Sequence, residues 1–322
     1  MRVILAEKPS VAQSIAAVLG ADQKKNGYLQ GENDLVSWCI GHLIDLAPPE
    51  IYDARYAKWR REDLPIVPSA WESVVSDGTK KQFAVLKDLL NRTDVDEVVC
   101  ATDAGREGEL IFRMVYEKTG CTKPVKRLWI SSLEESAIRD GFRSLKPGTA
   151  YDALYRAALC RAQADWLGGI NGTRLYSRLY GTKLNVGRVM TPTLAMVAQR
   201  EKEIAAFQVE RFYTAQLSCG FPAQSGRIKT REEAERIRAS CHCKKAAVKQ
   251  IERRQKKEKP PKLYDLTALQ RDANRIYGYT AQQTLDYAQT LYEKKLATYP
   301  RTDSRFLTHD LRDRLPALIE CV

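Results

Sequence analysis

What this chain lacks narrows it before anything it contains. No run of residues approaches the roughly 20 consecutive apolar side chains that a membrane-crossing helix needs. The apolar start of MRVILAEKPS passes straight into charge, so it does not read as a secretory leader. Histidine is scarce, with three residues, and none of the eight cysteines forms a CxxC pair. The tightest cluster, Cys241-His242-Cys243, is spaced too closely for the usual zinc pattern, which skips at least two residues. The cysteines therefore read as the scattered, reduced thiols of a cytoplasmic chain. Neither GxxxxGK[ST] nor GxGxxG occurs, which argues against ATP or a dinucleotide as cofactor.

What is present starts with size and charge. At 322 residues the chain is long enough for two or three domains. Its 52 Lys+Arg against 40 Asp+Glu leave +12, a balance suited to a polyanion but equally found in ordinary basic enzymes. Over residues 1–145, strand and helix signals alternate. RVILAE, DEVVCATD and VKRLWIS read as strands. VAQSIAAVLG, TKKQFAVLKDLLNR and GELIFRMVYEKTG read as helices, two of them closed by Gly20 and Gly120. Ser10 reads as an N-cap, and Ser132 with Glu135 as a capping box. The alternation predicts a mostly parallel α/β sheet.

Beyond residue 150 the pattern becomes mainly helical. A long helical stretch carries Arg156, Arg161, Arg174 and Arg178. A Gly-Arg turn at 187–188 leads to a further helix, and RFYTAQLSCGF alternates like a strand. Residues 244–262 hold nine Lys/Arg and two Glu, with Pro260-Pro261 breaking any regular element near the end, and read as a solvated basic connector. Two helices split by Gly278-Tyr279-Thr280 follow, and then a short strand or turn bearing Tyr299.

Two constellations carry chemistry. Glu7 ends the first strand and Asp103 another, where open α/β sheets gather ligands. Glu107 lies four residues on, with Gly105 expected to free the turn between them. Three converging carboxylates suit Mg²⁺, which takes one or two of them together with water and phosphate. The second constellation is ATYPRTDS. A phenol, with a pKa near 10, attacks phosphate poorly unless positive charge favours the phenolate. Arg301, two residues after Tyr299, is placed to supply that charge. Residue chemistry alone leaves open the reading of solvated acids and an ordinary tyrosine.

Taken together and in order, AEKPS, ATDAGREGELIF, NVGRVMTPTLA and ATYPRTDS resemble the type IA DNA topoisomerases, over residues 1 to about 308. The resemblance implies an α/β Toprim domain (1–150) with a Rossmann-like parallel sheet. It implies partial helical (151–207), β-arch (208–258) and helical gate (259–322) segments after it. By the same resemblance, Tyr299 forms a 5′-phosphotyrosyl bond with one DNA strand, without ATP. Arg301 steadies the attacked phosphate, Glu7 serves as general acid–base, and Lys8 holds the scissile phosphate. Glu7, Asp103 and Glu107 bind Mg²⁺, while Arg188, Arg161, Asp165 and Arg174 meet DNA. The implied substrates are single-stranded and negatively supercoiled or catenated DNA, handled by a monomer in the cytoplasm at the nucleoid, with room for a helicase partner and no membrane.

Two departures from the family pattern stand out. The family's Asp-x-Asp-x-Glu has Gly105 at its middle position here, so a single Mg²⁺ is expected. The chain also stops about 23 residues after Tyr299. The alternatives are a single-stranded DNA-binding module without chemistry and a Toprim nuclease or primase-like phosphotransferase. A strand-passing enzyme needs a whole gate, so these 322 residues are expected not to relax supercoiled DNA efficiently. Full relaxation at ordinary enzyme concentration, read on an agarose gel, would refute that.

Overall fold

The computed structural model describes residues 1–322 except 219, 221, 295, 308–311, 313, 314, 321 and 322. Its centre is β1 (Arg2–Ala6), where Val3, Ile4, Leu5 and Ala6 all lie out of solvent. A strand buried on both faces in this way belongs inside a parallel sheet. The chain continues through α1 (Pro9–Leu19), β2 (Gln23–Lys25), β3 (Tyr28–Gln30), β4 (Asp34–Trp38), β5 (Ile44–Leu46), α2 (Pro49–Tyr52) and β6 (Ser73–Val75). It then forms α3 (Lys80–Leu90), β7 (Glu97–Ala101), α4 (Arg106–Thr119), β8 (Val125–Arg127), α5 (Glu135–Arg143), β9 (Lys146–Pro147) and α6 (Asp152–Tyr180).

Seven strands make one sheet in the order β2-β3-β4-β1-β7-β8-β9. The inner four, β4-β1-β7-β8, run parallel, and the antiparallel strands lie at the edges. This matches the expected parallel sheet, with antiparallel rims that the sequence pattern did not announce. Chain order reverses at β1, because β4 lies on one side of it and β7 on the other. The crevice at the carboxyl ends of β1 and β7 is therefore a topological switch point. Alternate residues of β1 feed two cores. Val3 and Leu5 pack with Leu86, Leu90, Phe112 and Val115 of α3 and α4. Ile4 and Ala6 pack with Val11, Ile15 and Ile138 of α1 and α5.

Two expected caps are corrected. Helix α1 begins at Pro9 with Lys8 as N-cap, in extended backbone, rather than at Ser10. Proline suits the first helical position because that N–H would be unsatisfied anyway. Helix α5 begins at Glu135, so Glu135 cannot close a box with Ser132, whose Oγ instead accepts the N–H of Glu134 at 3.2 Å. Gly20 and Gly120 do close α1 and α4, in the left-handed region at φ 71° and 72°.

Along α6, Asn171 holds the backbone of Ile66 from both sides, accepting its N–H at 2.6 Å and donating to its carbonyl at 2.9 Å. Val186 folds back against Gly172, where a Cβ would meet its side chain at 2.9 Å. That fold-back brings Arg188 beside α6.

Residues 1–188 and 262–322 form one compact unit, and 189–261 another. The second unit contains α7 (Met190–Ala205), a hairpin of β10 (Gln216–Ser218) with β11 (Pro222–Gln224), α8 (Arg231–Cys241), and the exposed basic connector. In the first unit, α9 (Leu266–Tyr277) and α10 (Ala281–Glu293) form a hairpin, and α11 (Leu315–Glu320) follows. Thr280 and Gln283 make a reciprocal capping box at the start of α10, which the sequence reading missed. Tyr299 lies on a loop, not a strand. The loop is tied to the start of α9 by Leu266 N–H on the Thr302 carbonyl (3.2 Å) and by Arg305 Nε on the Leu263 carbonyl (2.8 Å). Among the described residues no helix is long and apolar enough to cross a membrane.

The glycines of the β7–α4 turn divide differently from expectation. Gly105 has φ −173°, extended backbone open to any residue, and a Cβ there would meet nothing within 4 Å. At Gly108 a Cβ would stand 2.2 Å from the Asp103 carbonyl oxygen, a fixed backbone atom. Gly108 is thus the glycine this turn needs. Gly108→Ala is expected to cost about 1–3 kcal/mol in urea unfolding, and Gly105→Ala to stay within about 0.5 kcal/mol. Equal losses at both positions would contradict this.

Candidate active site

The site grows from the sheet. Residues Ala6 and Ala101 are paired across β1 and β7, so the residues that follow them emerge side by side. Glu7 and Asp103 stand at that edge, and Glu7 Oε2 accepts the backbone N–H of Asp103 at 3.2 Å. Glu7 is buried, at 8% exposure. Its pKa is raised, first by burial and then by the like charge of Asp103, against smaller opposing contributions from the Asp103 N–H, Lys8 and Arg301. A carboxyl held this way is disposed to keep a proton.

A buried layer fixes the Asp103 turn from behind. Arg127, at 1% exposure, donates Nη1 to the carbonyls of Cys100, Thr102 and Leu128 at 2.7–3.1 Å. Its Nη2 donates to the Asp103 carbonyl at 2.7 Å. Glu109, also 1% exposed, shares its carboxylate between Arg127 at 3.1 Å and Arg113 at 3.0 Å, and Asp152 pairs with Arg113 as well, at 2.8 Å. Thr102 Oγ1 donates to the Gly108 carbonyl at 2.8 Å and closes the turn onto α4. The sequence reading passed over Arg127 and Glu109. The available signal was Arg113 four residues after Glu109, an i,i+4 ion pair on an otherwise apolar helix face.

Tyr299 arrives from the far end of the chain. Its phenol donates to Asp103 Oδ2 at 2.7 Å across 196 residues of sequence. Burial first, and then the Asp103 carboxylate, raise its pKa above the ordinary phenol value, while Arg301 acts only weakly the other way. Arg301 does favour the phenolate, as expected, but burial and then the acids outweigh it, and the phenol keeps its proton. Arg301 is exposed, and Lys8 is half-buried at the N-cap of α1.

The three-carboxylate convergence is not assembled. Glu107, 62% exposed, stands 3.5 Å from His42 Nε2. No group of three or more His, Cys, Asp or Glu side chains among the described residues is gathered to hold a metal ion. The adjacent pair Glu7 and Asp103 still offers two hard oxygen donors, which fits the one or two carboxylates that Mg²⁺ takes. His42 was not singled out from the sequence.

Of the residues expected to meet DNA, Arg188 and Asp165 are joined in a two-pronged pair at 2.7 and 3.2 Å. Arg161 sits near enough to lower the Asp165 pKa further, behind the larger effect of Arg188. Arg174 is buried, at 5% exposure, donating to the Tyr56 carbonyl at 2.7 Å and lying over the Trp59 ring. Its guanidinium is committed to the 53–66 loop.

Residues 2–133, which hold the parallel sheet and the acids at its switch point, match the Toprim domain model. Residues 149–322, just over half of the chain, match the DNA topoisomerase family model. The chain belongs to the type IA DNA topoisomerases. It is 48% identical to DNA topoisomerase 3 of Bacillus cereus (strain ATCC 10987 / NRS 248) over 98% of its own length and 44% of that protein's. It is 45% identical to DNA topoisomerase 3 of Bacillus subtilis (strain 168) over 98% of its own length and 45% of that protein's. The solved structure of full-length topoisomerase I from Thermotoga maritima superposes with a TM-score of 0.70 at 25% identity, covering 99% of this chain and 52% of that one. The chain thus spans less than half the length of these curated relatives.

The raised pKa of Glu7 has a stability consequence with a definite sign. A carboxyl whose folded pKa lies above its unfolded value stabilises the fold while protonated, and that contribution is lost as pH rises through the folded pKa. In a chelating buffer, Glu7→Gln is expected to melt higher than the parent above that pKa. The gap should close as pH falls below the ordinary glutamate value of about 4.3. A parent that melts higher at neutral pH would overturn this placement of Glu7.

Proposed function

We propose that this chain carries the strand-cutting chemistry of a type IA topoisomerase. The observation that carries the reading is the hydrogen bond from Tyr299 to Asp103, which sets a phenol oxygen against the acids at the sheet's switch point. In the proposed step the Tyr299 oxygen attacks a DNA phosphorus, forming a 5′-phosphotyrosyl ester, and the bond from phosphorus to the 3′-oxygen breaks. The phenol proton passes to Asp103, its hydrogen-bond acceptor. Glu7, disposed to be protonated, gives its proton to the leaving 3′-oxygen and takes it back on rejoining. The ester conserves the bond energy, so no ATP enters.

Lys8 and Arg301 would hold the phosphate, since an added anion at a doubly acidic edge needs both cations. Glu7 and Asp103, with Glu107 as the further expected ligand, would hold Mg²⁺, which supplies charge neutralisation at the phosphate. Arg188, paired with Asp165 beside Arg161, would follow the DNA backbone, giving salt-dependent binding.

On this reading residues 1–150 form the Toprim domain, 151–207 a helical domain, 208–258 part of the arch and 259–322 the gate. The whole reaction is relaxation and decatenation of negatively supercoiled or catenated DNA, by a monomer at the nucleoid, with a helicase as a compatible partner. The resemblance of the motifs supports these broader assignments.

The test is a trapping assay with an end-labelled single-stranded oligonucleotide and Mg²⁺, followed by denaturation. Label should migrate with the protein. Tyr299→Phe should abolish the adduct, and Asp103→Asn should slow it by about 10²-fold or more. An adduct that survives Tyr299→Phe would show that the nucleophile lies elsewhere. DNA binding with no adduct in the parent would favour a binding module.

A further inference from the structure

A second phenol stands beside Tyr299, and the chemistry above does not use it. Tyr292 sits in the last turn of α10 and is 7% exposed. Its ring is a full member of the core cluster formed by Ile4, Ala6, Val11, Ile15 and Val36 on the α1 side of the sheet. Among the described residues of 262–322, no other side chain belongs fully to either core cluster, and Tyr299 is only partly buried against this one. The two rings meet edge to face, with centroids 5.5 Å apart and planes at 75°. Tyr287 and Leu291 of α10 are 55% and 45% exposed, while Thr284, two turns before Tyr292, is buried without belonging to either core cluster.

The nucleophile loop therefore has two kinds of hold. At its base it is tied to α9, which belongs to the same hairpin and would travel with it. Toward the sheet it has the Tyr299–Asp103 hydrogen bond and the seated ring of Tyr292. An edge-to-face contact fixes orientation as well as distance. A hydrogen bond alone leaves the phenol free to rotate about it.

We propose that Tyr292 is a positioning residue: its ring is the peg that seats the nucleophile-bearing hairpin on the Toprim sheet and sets the face of Tyr299 toward Asp103. Opening of this segment must withdraw the Tyr292 ring from the core, so the same contact resists opening. The catalytic part of the claim rests on the reading of Tyr299 as the nucleophile, and the seating part does not.

The experiment uses the 322-residue chain with Tyr292→Phe and Tyr292→Ala. Single-turnover adduct formation is measured at saturating oligonucleotide, together with DNA affinity. Amide hydrogen exchange is measured without DNA over α10, residues 296–307, β1 and β7. Tyr292→Phe keeps the ring and should match the parent in every readout. Tyr292→Ala should slow adduct formation about tenfold or more, because small misplacements at a reacting centre cost large factors. DNA affinity should be unchanged. Exchange should rise in α10 and 296–307 while β1 and β7 stay protected.

Unchanged exchange and rate in Tyr292→Ala would overturn the proposal. So would a Tyr292→Phe as damaged as the alanine variant, which would assign the role to the hydroxyl. Loss of protection in β1 and β7 would make Tyr292 a core residue only. If the parent forms no adduct, the nucleophile reading fails, and the exchange comparison still decides whether Tyr292 is the seat.

Discussion

Two carboxyl groups of the same sign, set at the ends of neighbouring parallel strands, are the constraint on which the rest of this structure depends. Adjacent strands lie only about 4.8 Å apart, so the pairing of β1 with β7 forces Glu7 and Asp103 into each other's field. Neither can move away without breaking the sheet's register. The strain is met locally, by the Asp103 N–H donated to Glu7 and by a raised Glu7 pKa. A raised pKa on one acid, beside another that accepts a phenol, is an environment of the kind that sets acid and base roles apart.

Holding such a pair needs rigid backing, which explains the buried charge beneath it. Arg127 donates to four carbonyls, two of them in the Asp103 turn, and Glu109 divides its one negative charge between Arg127 and Arg113. An ion pair this deep adds little net stability over apolar packing, because desolvation offsets attraction. Its worth is directional: an arginine fork specifies where each carbonyl must be. Gly108 completes the arrangement by letting the first turn of α4 press against the Asp103 backbone.

Much of this was legible in the sequence. The alternation of apolar strands and amphipathic helices announced the parallel sheet, because burial on both faces leaves an unbroken apolar run. The ordered motifs brought Glu7, Asp103 and Tyr299 to one place, as the structure does. What was not legible depended on contacts distant in sequence or on one-residue choices of helix start. Ser10 looked like a cap until Pro9 took the first helical position. Gly105 looked conformationally necessary, yet steric need falls on Gly108, three residues on. Glu107 looked like a member of the acidic cluster, but its exposed carboxylate stands apart from it, 3.5 Å from His42 of a different loop. Arg174 read as a surface cation on a helix, and only the fold of the 53–66 loop over α6 buries it.

The protonation of Tyr299 completes the argument. A nucleophile stored as phenolate among two carboxylates would repel the sheet edge that positions it. Stored as phenol, it can donate to Asp103, so the bond that places the oxygen also keeps it unreactive. Reaction then requires a change in the balance of charge, not a change of partner. Arg301 does not tip that balance alone, since burial and Asp103 outweigh it at the phenol. Lys8 and Arg301 both oppose the raised pKa of Glu7, which places their field at the acidic edge. On the reading of Tyr299 as nucleophile, the cations proposed to steady the phosphate would also ease the phenol's loss of its proton toward Asp103. The proposed nucleophile is thus held as a phenol by the same acid that would take its proton, so placement and restraint are one contact.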